Sequence, residues 1–244
     1  MRLRINGFRI LTFDVYGTLI DWESGMINAL RPLTGKVGRS LSTDEILEAH
    51  AYHESHAQKW TPTRVYRDLL AVVYRRLGEE WGIGTTWEEC RAYGKAVGDW
   101  PAFHDSPGAL AYLKEHFRLA VLTNTDNASF EFSKARLGVE FDFVFTAEDI
   151  GSYKPDGRNF DYMLSALARA GYGRSDILHV AESQFHDHVP ARSLGLANCW
   201  IYRRHEKPGF GATMPPAEEP GFDFRFNSMA ELAEAHRKEA SVSN

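Results

Sequence analysis

Apolar and polar positions along the chain alternate between two kinds of pattern. Short β-prone apolar runs occur at 8–16 (FRILTFDVY), 118–123 (RLAVLT), 141–146 (FDFVFT), 176–181 (DILHVA) and 196–202 (LANCWIY). Each ends in polar or turn-forming residues, as buried strands do. Helical spacing fills the gaps at 106–117, 127–137, 157–171 and 187–195. Strands alternating with helices predict an α/β fold, a parallel sheet covered on both faces.

Residues 22–100 interrupt this rhythm with helical patterns and no convincing strand. Ser42 with Glu45 fits a capping box, and Thr86 with Glu89 marks a further helix start. Thr61-Pro62 reads as a cap followed by proline at the first helical position. Val65, Leu69, Val72, Val73 and Leu77 then form a stripe at helical spacing. Such a block after the first strand predicts a lid over the strand ends, where open α/β sheets place ligands. The segment 205–221 reads as a Gly/Pro-rich loop, and 226–239 as a last helix capped by Ser228. The sequence shows no internal repeats.

Composition narrows the field. The 244 residues suffice for one large domain, or a core domain with an insertion. No apolar run approaches the ~20 residues needed to span a bilayer. The N-terminus is too polar for a signal peptide, so a cytoplasmic protein without membrane partners is expected. Cys90 and Cys199 are far apart and share no metal-ligand spacing, which argues against a disulfide framework or a zinc site. A net charge of −5 argues against nucleic acid as a partner.

Four polar segments follow four of the strands: Asp14 to Thr18, Thr123-Asn124, Lys154-Pro155 and Glu182 to Asp187. A parallel sheet brings them to one edge. A carboxylate, a hydroxyl, an amide, an ammonium and a second carboxylate in one cleft suit covalent catalysis by a carboxylate nucleophile. Taken singly, Asp14 is a turn residue, Lys154-Pro155 a surface turn and Thr123-Asn124 a strand terminus. Their order and register favour a site. Trp22 suits either a pocket wall or the core. The histidines at 50, 53 and 56 read as a solvated helix face, and His186 and His188 as structural or solvent-facing groups.

FDVYGTLID, LTN, YKPD and HVAESQFHDHVPA, in this order and spacing, resemble the four motifs of the haloacid dehalogenase superfamily over essentially the whole chain. FDVYGTL, GSYKPD and HDHVPA resemble its type II, or L-2-haloacid dehalogenase, branch. The resemblance implies a Rossmann-like core at 1–20 and 103–244 and a helical cap domain at 21–102. It implies Asp14 as the nucleophile, oriented by Thr18 and hydrogen-bonded by Lys154. Asp187 would hold Lys154 or the hydrolytic water. Tyr16, Thr123 and Asn124 would bind a small anionic substrate or the leaving halide. No cofactor and no metal are expected in this branch, and a homodimer is the family-level expectation.

Position 16 discriminates within the superfamily. Its phosphatases usually carry a second aspartate there, whose acid–base help is worth roughly 10²–10⁴-fold. A halide leaves without a proton, so Tyr16 suits carbon–halogen cleavage. Other residues depart from the branch. Its halide-holding cap arginine has no clear equivalent: residues 48–60 offer His50, His53 and His56 but no arginine, with Arg39 and Arg64 nearby. The branch's tyrosine six positions after the motif lysine is Phe160, and Glu182 and Gln184 replace a serine and an asparagine. Glu182 also leaves room for an alternative, a magnesium-dependent phosphatase with Asp14, Glu182 and Asp187 as ligands. A non-catalytic ligand-binding relative is the third reading, against which the presence of Asp14, Thr18, Lys154 and Asp187 weighs.

Overall fold

The computed structural model describes residues 3–242. Six parallel strands form one sheet: β1 (Ile10–Phe13), β2 (Arg118–Thr123), β3 (Phe143–Thr146), β4 (Ile177–Ala181), β5 (Ala197–Ile201) and β6 (Phe224–Phe226). Their spatial order is β3-β2-β1-β4-β5-β6. The chain winds outward from β1 to β3, then returns to β4 on the other side. β1 therefore flanks the point where the winding direction reverses, the place where such sheets open a crevice at their carboxyl edge. Phe13 pairs in register with Val121 on one side and Val180 on the other.

Strand residues alternate between two buried layers, as a period of two requires. Leu11, Phe13, Leu119, Val121, Leu178 and Val180 join the larger core. Ile10, Ala120, Leu122 and Ile177 join a smaller one with Phe160, Met163 and Leu167. Two polar residues sit on this second face, Thr12 and His179. Both are fully buried, and they pair with each other, Thr12 Oγ1 lying 2.9 Å from His179 Nδ1.

Between β1 and β2 the chain makes α1 (Trp22–Thr34), α2 (Thr43–Trp60), α3 (Tyr66–Glu80) and α4 (Trp87–Lys95). Both anticipated capping boxes are present, Ser42 with Glu45 and Thr86 with Glu89. α3 and α4 cross closely because Gly94 has no side chain: a Cβ there would fall 2.0 Å from the Arg67 carbonyl oxygen. The remaining helices are α5 (Ser106–Lys114), α6 (Asn127–Leu137), α7 (Ala147–Ile150), α8 (Gly157–Arg169), α9 (Val189–Ser193) and α10 (Met229–Val242). Among the described residues, no helix is long and apolar enough to cross a membrane.

Some expectations need correction. Thr61-Pro62 does not start a helix. Thr61 closes α2, both its N–H and its hydroxyl donating to the Ala57 carbonyl, and α3 begins only at Tyr66. The single helix expected at 187–195 is a π-helical turn, Gln184–His188, followed by the short α9. β6 was not anticipated, because three residues are too few to show a period. Of the three histidines of α2 read as a solvated face, His50 departs, being fully buried, while His53 is partly exposed and His56 exposed.

Candidate active site

β1 delivers Asp14 to the carboxyl edge of the sheet, where its N–H still bonds Val180 O at 3.1 Å. The chain then turns sharply at Gly17, whose φ of +92° lies in the region that favours glycine. A side chain there would also meet Trp22 Nε1 at 3.0 Å. This turn brings Thr18 back beneath Asp14, and Thr18 Oγ1 donates to Asp14 Oδ2 at 2.6 Å. The Thr18 oxygen in turn accepts from Glu182 N at 2.8 Å, which ties the turn after β1 to the end of β4.

Lys154 reaches the same spot from the loop after α7. Its Nζ donates to Asp14 Oδ1 at 2.9 Å, Asp187 Oδ1 at 2.7 Å and Leu122 O at 2.9 Å. His179 Nε2 donates to Asp187 Oδ1 at 3.0 Å. Asp187 Oδ2 is buried without a hydrogen-bond partner among the described residues. Thr12, His179, Asp187, Lys154 and Asp14 thus form one continuous chain of contacts running from inside the sheet to its edge.

Burial is the largest influence on each charge here, and the neighbours decide the outcome. Burial raises the Asp14 carboxyl above the ordinary range, and Lys154 and Thr18 offset this only in part. For Asp187, Lys154 and His179 outweigh burial and hold the carboxyl well below its usual value. Burial works against the Lys154 ammonium, but Asp14 and Asp187 more than compensate and raise it. The three form a charged cluster that neither carboxylate could occupy alone at this depth.

The expected substrate-binding residues divide. Tyr16 and Asn124 line the small cavity in front of Asp14, whereas Thr123, buried at the end of β2, does not. Asn124 is already engaged by its amide, which donates to Lys154 O at 2.9 Å and accepts from Lys154 N at 2.7 Å. It clamps the lysine's backbone. The Tyr16 hydroxyl lies 2.9 Å from Ser133 Oγ, and burial pushes it up to about 12. Trp22 belongs to both the cavity wall and the core.

Glu182 lines a separate cleft with Glu23, Arg203 and Arg204. Burial, with Glu23 and Asp14 nearby, pushes its carboxyl up to about 8. Among the described residues, no group of three or more His, Cys, Asp or Glu side chains is placed to hold a metal ion. Of the residues weighed for magnesium in the alternative reading, Asp14 and Asp187 line the inner cavity and Glu182 lines the separate cleft. Phe160 packs its ring against His179 at 5.2 Å. Arg39 is exposed on the surface beside Glu45, and Arg64 is exposed outside the cavity lining.

Four residues of the site were not anticipated: His179, Glu54, Gln58 and Tyr66. His179 hides inside an apolar strand pattern. Glu54 reaches the cavity from α2 together with Gln58, and Tyr66 from α3 completes that wall. Glu54 Oε1 accepts from Gln58 Nε2 at 3.0 Å and from the Tyr66 hydroxyl at 2.9 Å. The signal was the buried stripe of α2, where Leu47 and Ala51 are followed at the same spacing by Glu54 and Gln58.

An aspartate at the end of the first strand, a lysine held against it, and a helical insertion between the first two strands define a class of hydrolase. The sequence profile of the haloacid dehalogenase-like hydrolases matches residues 8–181, and the chain belongs to that family. Within the family its likeness lies with the L-2-haloacid dehalogenase branch. It is 29% identical to an (S)-2-haloacid dehalogenase of Pseudomonas sp. (strain YL) over 79% of this chain and 82% of that protein. The solved L-2-haloacid dehalogenase of Xanthobacter autotrophicus with chloropropionic acid covalently bound shares the fold. Its TM-score is 0.74 at 18% identity, covering 94% of this chain and 98% of that one. A shorter match, 31% identical over 41% of this chain and 46% of the relative, is to the pyrimidine 5'-nucleotidase YjjG of Escherichia coli (strain K12).

Proposed function

We propose that the protein hydrolyses a carbon–halogen bond next to a carbonyl group, as in a short 2-haloacid, through an ester on Asp14. An Asp14 oxygen bonds to the carbon, and the halide leaves from the opposite side with its electron pair. Water then adds to the Asp14 acyl carbon and frees the 2-hydroxy product. Displacement inverts the carbon and acyl cleavage leaves it untouched, so an L-2-haloacid gives a D-2-hydroxy acid. Thr18 and Lys154 hold the carboxylate in place before substrate arrives. Asp187, with one oxygen on Lys154 and the other without a hydrogen-bond partner among the described residues, accepts a hydrogen bond from the hydrolytic water.

Tyr16 carries this reading. A phenol pushed up to about 12 and held by Ser133 is a poor proton donor at neutral pH. An alkoxide leaving group would lack the acid it needs at that position, whereas a halide needs none. The named function of the Pseudomonas relative points the same way.

The nucleotidase similarity supplies the second reading, a magnesium-dependent phosphatase. A paired assay separates them. Halide release from 2-chloropropionate and 2-chloropropionamide is followed beside phosphate release from an aryl phosphate, each with and without EDTA. The expected outcome is halide release unaffected by EDTA. EDTA-sensitive phosphate release without halide release would discard the dehalogenase.

A further inference from the structure

The reaction proposed above makes a new anion in a small, poorly solvated space, and that anion needs a donor. A halide leaving from the side opposite Asp14 moves from the strand ends toward the helices above them. Among the described residues, no arginine lines the inner cavity. Its other donors are engaged. The three protons of the Lys154 ammonium go to Asp14, Asp187 and the Leu122 carbonyl. The Asn124 amide donates to Lys154 O, and the Gln58 amide to Glu54. The Tyr66 hydroxyl also donates to Glu54, and the Tyr16 hydroxyl pairs with Ser133. The Trp22 indole nitrogen lies over the Gly17 turn, where a Cβ would meet it at 3.0 Å.

His186 differs. Its ring is half-buried and lines the same cavity from the π-helical turn after β4. Asp187 and Lys154 act on it from below and Glu54 from the cap, so it stands where strand ends and cap meet. Ser183 fixes its tautomer. Ser183 Oγ accepts from His186 N at 3.0 Å and lies 3.0 Å from His186 Nδ1. This buried hydroxyl needs an acceptor for its own proton, and Nδ1 is its partner. The ring proton is then on Nε2. Burial pushes the ring down to about 4, which keeps it neutral at pH 7, and a charged ring would carry the Nε2 proton as well. Nε2 bonds no protein group among the described residues, and it is not one of the enclosed, unpartnered atoms. It keeps a surface for a ligand.

We infer that His186 is a catalytic residue that receives the leaving halide: its Nε2–H donates a hydrogen bond to the halogen as the bond to carbon breaks. This rests on the dehalogenase reading above and fills the role left open by the absent cap arginine. An Asp14 oxygen bonds to the carbon, and the carbon–halogen electron pair departs with the halide. The proton stays on Nε2, so no acid is consumed. Ser183 holds the ring by its other edge, which fixes the donor before charge develops on the halogen.

Chloride accepts hydrogen bonds more strongly than bromide and leaves carbon less readily, so a lost donor should harm its release more. The test follows single-turnover halide release by the full-length protein from 2-chloropropionate and 2-bromopropionate. His186→Phe keeps a ring without the donor. It should slow chloride release by at least about tenfold, and bromide release by a factor at least about threefold smaller. His186→Gln offers an amide N–H at similar reach and should stay within about threefold of the parent. Inhibition by added chloride should weaken at least about tenfold in His186→Phe and persist in His186→Gln. Thermal melts establish that the variants are folded, and His186→Leu takes the place of His186→Phe if that variant is not. Equal losses on the two halogens, unchanged rates, or a folded His186→Gln as slow as His186→Phe would overturn the assignment and leave the dehalogenase intact. Halide release from neither compound by the parent would instead remove the reading on which it rests.

Discussion

The floor of the site and the wall above it are both buried and both polar, yet they are held differently. The floor comes from the ends of β1, β2 and β4 and from the Lys154 loop, and its acids share one ammonium. The wall comes from α2 and α3, and its acid is held by an amide and a phenol. Charge balances charge in the floor, while the acid of the wall is met by neutral donors. Asp14, Thr18, Lys154 and Asp187 of the floor match the motifs of the family, while this chain departs from them beside the floor at Phe160, Glu182 and Gln184 as well as in the cap. The difference separates a charge-compensated cluster at the strand ends from a carboxyl group that neutral donors hold on the helices above it.

Substitutions can break this contrast. The largest effect should follow Asp14→Asn, which removes the carboxylate proposed to attack. Loss of a nucleophile costs on the order of 10⁶-fold in kcat where it has been dissected. Halide release should fall by at least ~10⁴-fold, apart from slow recovery if the amide deamidates. Single turnover in ¹⁸O water checks the same step, because label should enter Asp14 before it enters product.

Lys154→Met should cost about 3–5 kcal/mol in stability, because it strips the counter-charge from two buried carboxylates. The urea midpoint reports it. A cost below about 1 kcal/mol would mean that charge balance does not hold the floor together.

Acid should weaken the layer behind the floor. Burial pushes His188 down to about 4 from its ordinary 6.5. Its Nε2 donates to Ala181 O, and its Nδ1 accepts from Asn198, an arrangement that requires the neutral ring. Below 6.5 the unfolded chain takes up a proton that the folded one refuses. This part of the stability is therefore complete above about 6.5 and is lost as pH falls toward about 4, on the order of 3 kcal/mol in all. Urea midpoints across this range should fall for the parent and flatten for His188→Gln.

The smallest effect falls on the wall. Glu54→Gln keeps an acceptor for Tyr66 and should cost under about 1 kcal/mol. A cost comparable to that of Lys154→Met would abolish the distinction between floor and wall.

The floor was legible because its residues sit at strand ends, and a parallel sheet brings strand ends together. Asp14, Thr18, Lys154 and Asp187 lie within one hydrogen-bonded network. Capping boxes were equally legible, since hydroxyl and carboxylate lie three residues apart and answer each other locally. Asn124 shows the limit: its place at a strand end is visible in the sequence, but its occupation with the Lys154 backbone is not. His179 was missed because a single polar residue in an apolar run keeps the look of a strand. Glu54 was missed because a polar residue on a helix suggests solvent. Yet it continues the buried face of Leu47 and Ala51 in phase. A stripe that turns polar without losing phase has met a site, and phase rather than hydrophobicity was the informative quantity.

Lys154, fully engaged by three acceptors, has a consequence that unfolds in time. With both carboxylates ionised, Asp14, Lys154 and Asp187 together carry one negative charge. In the proposed mechanism Asp14 becomes an ester and gives up its charge, which leaves the trio neutral. The ammonium that steadied the nucleophile then faces an acyl oxygen and draws electron density from the carbon that water must attack. The same fixed proton therefore restrains Asp14 in the first half of a turnover and primes its release in the second, with no side chain needing to move between them.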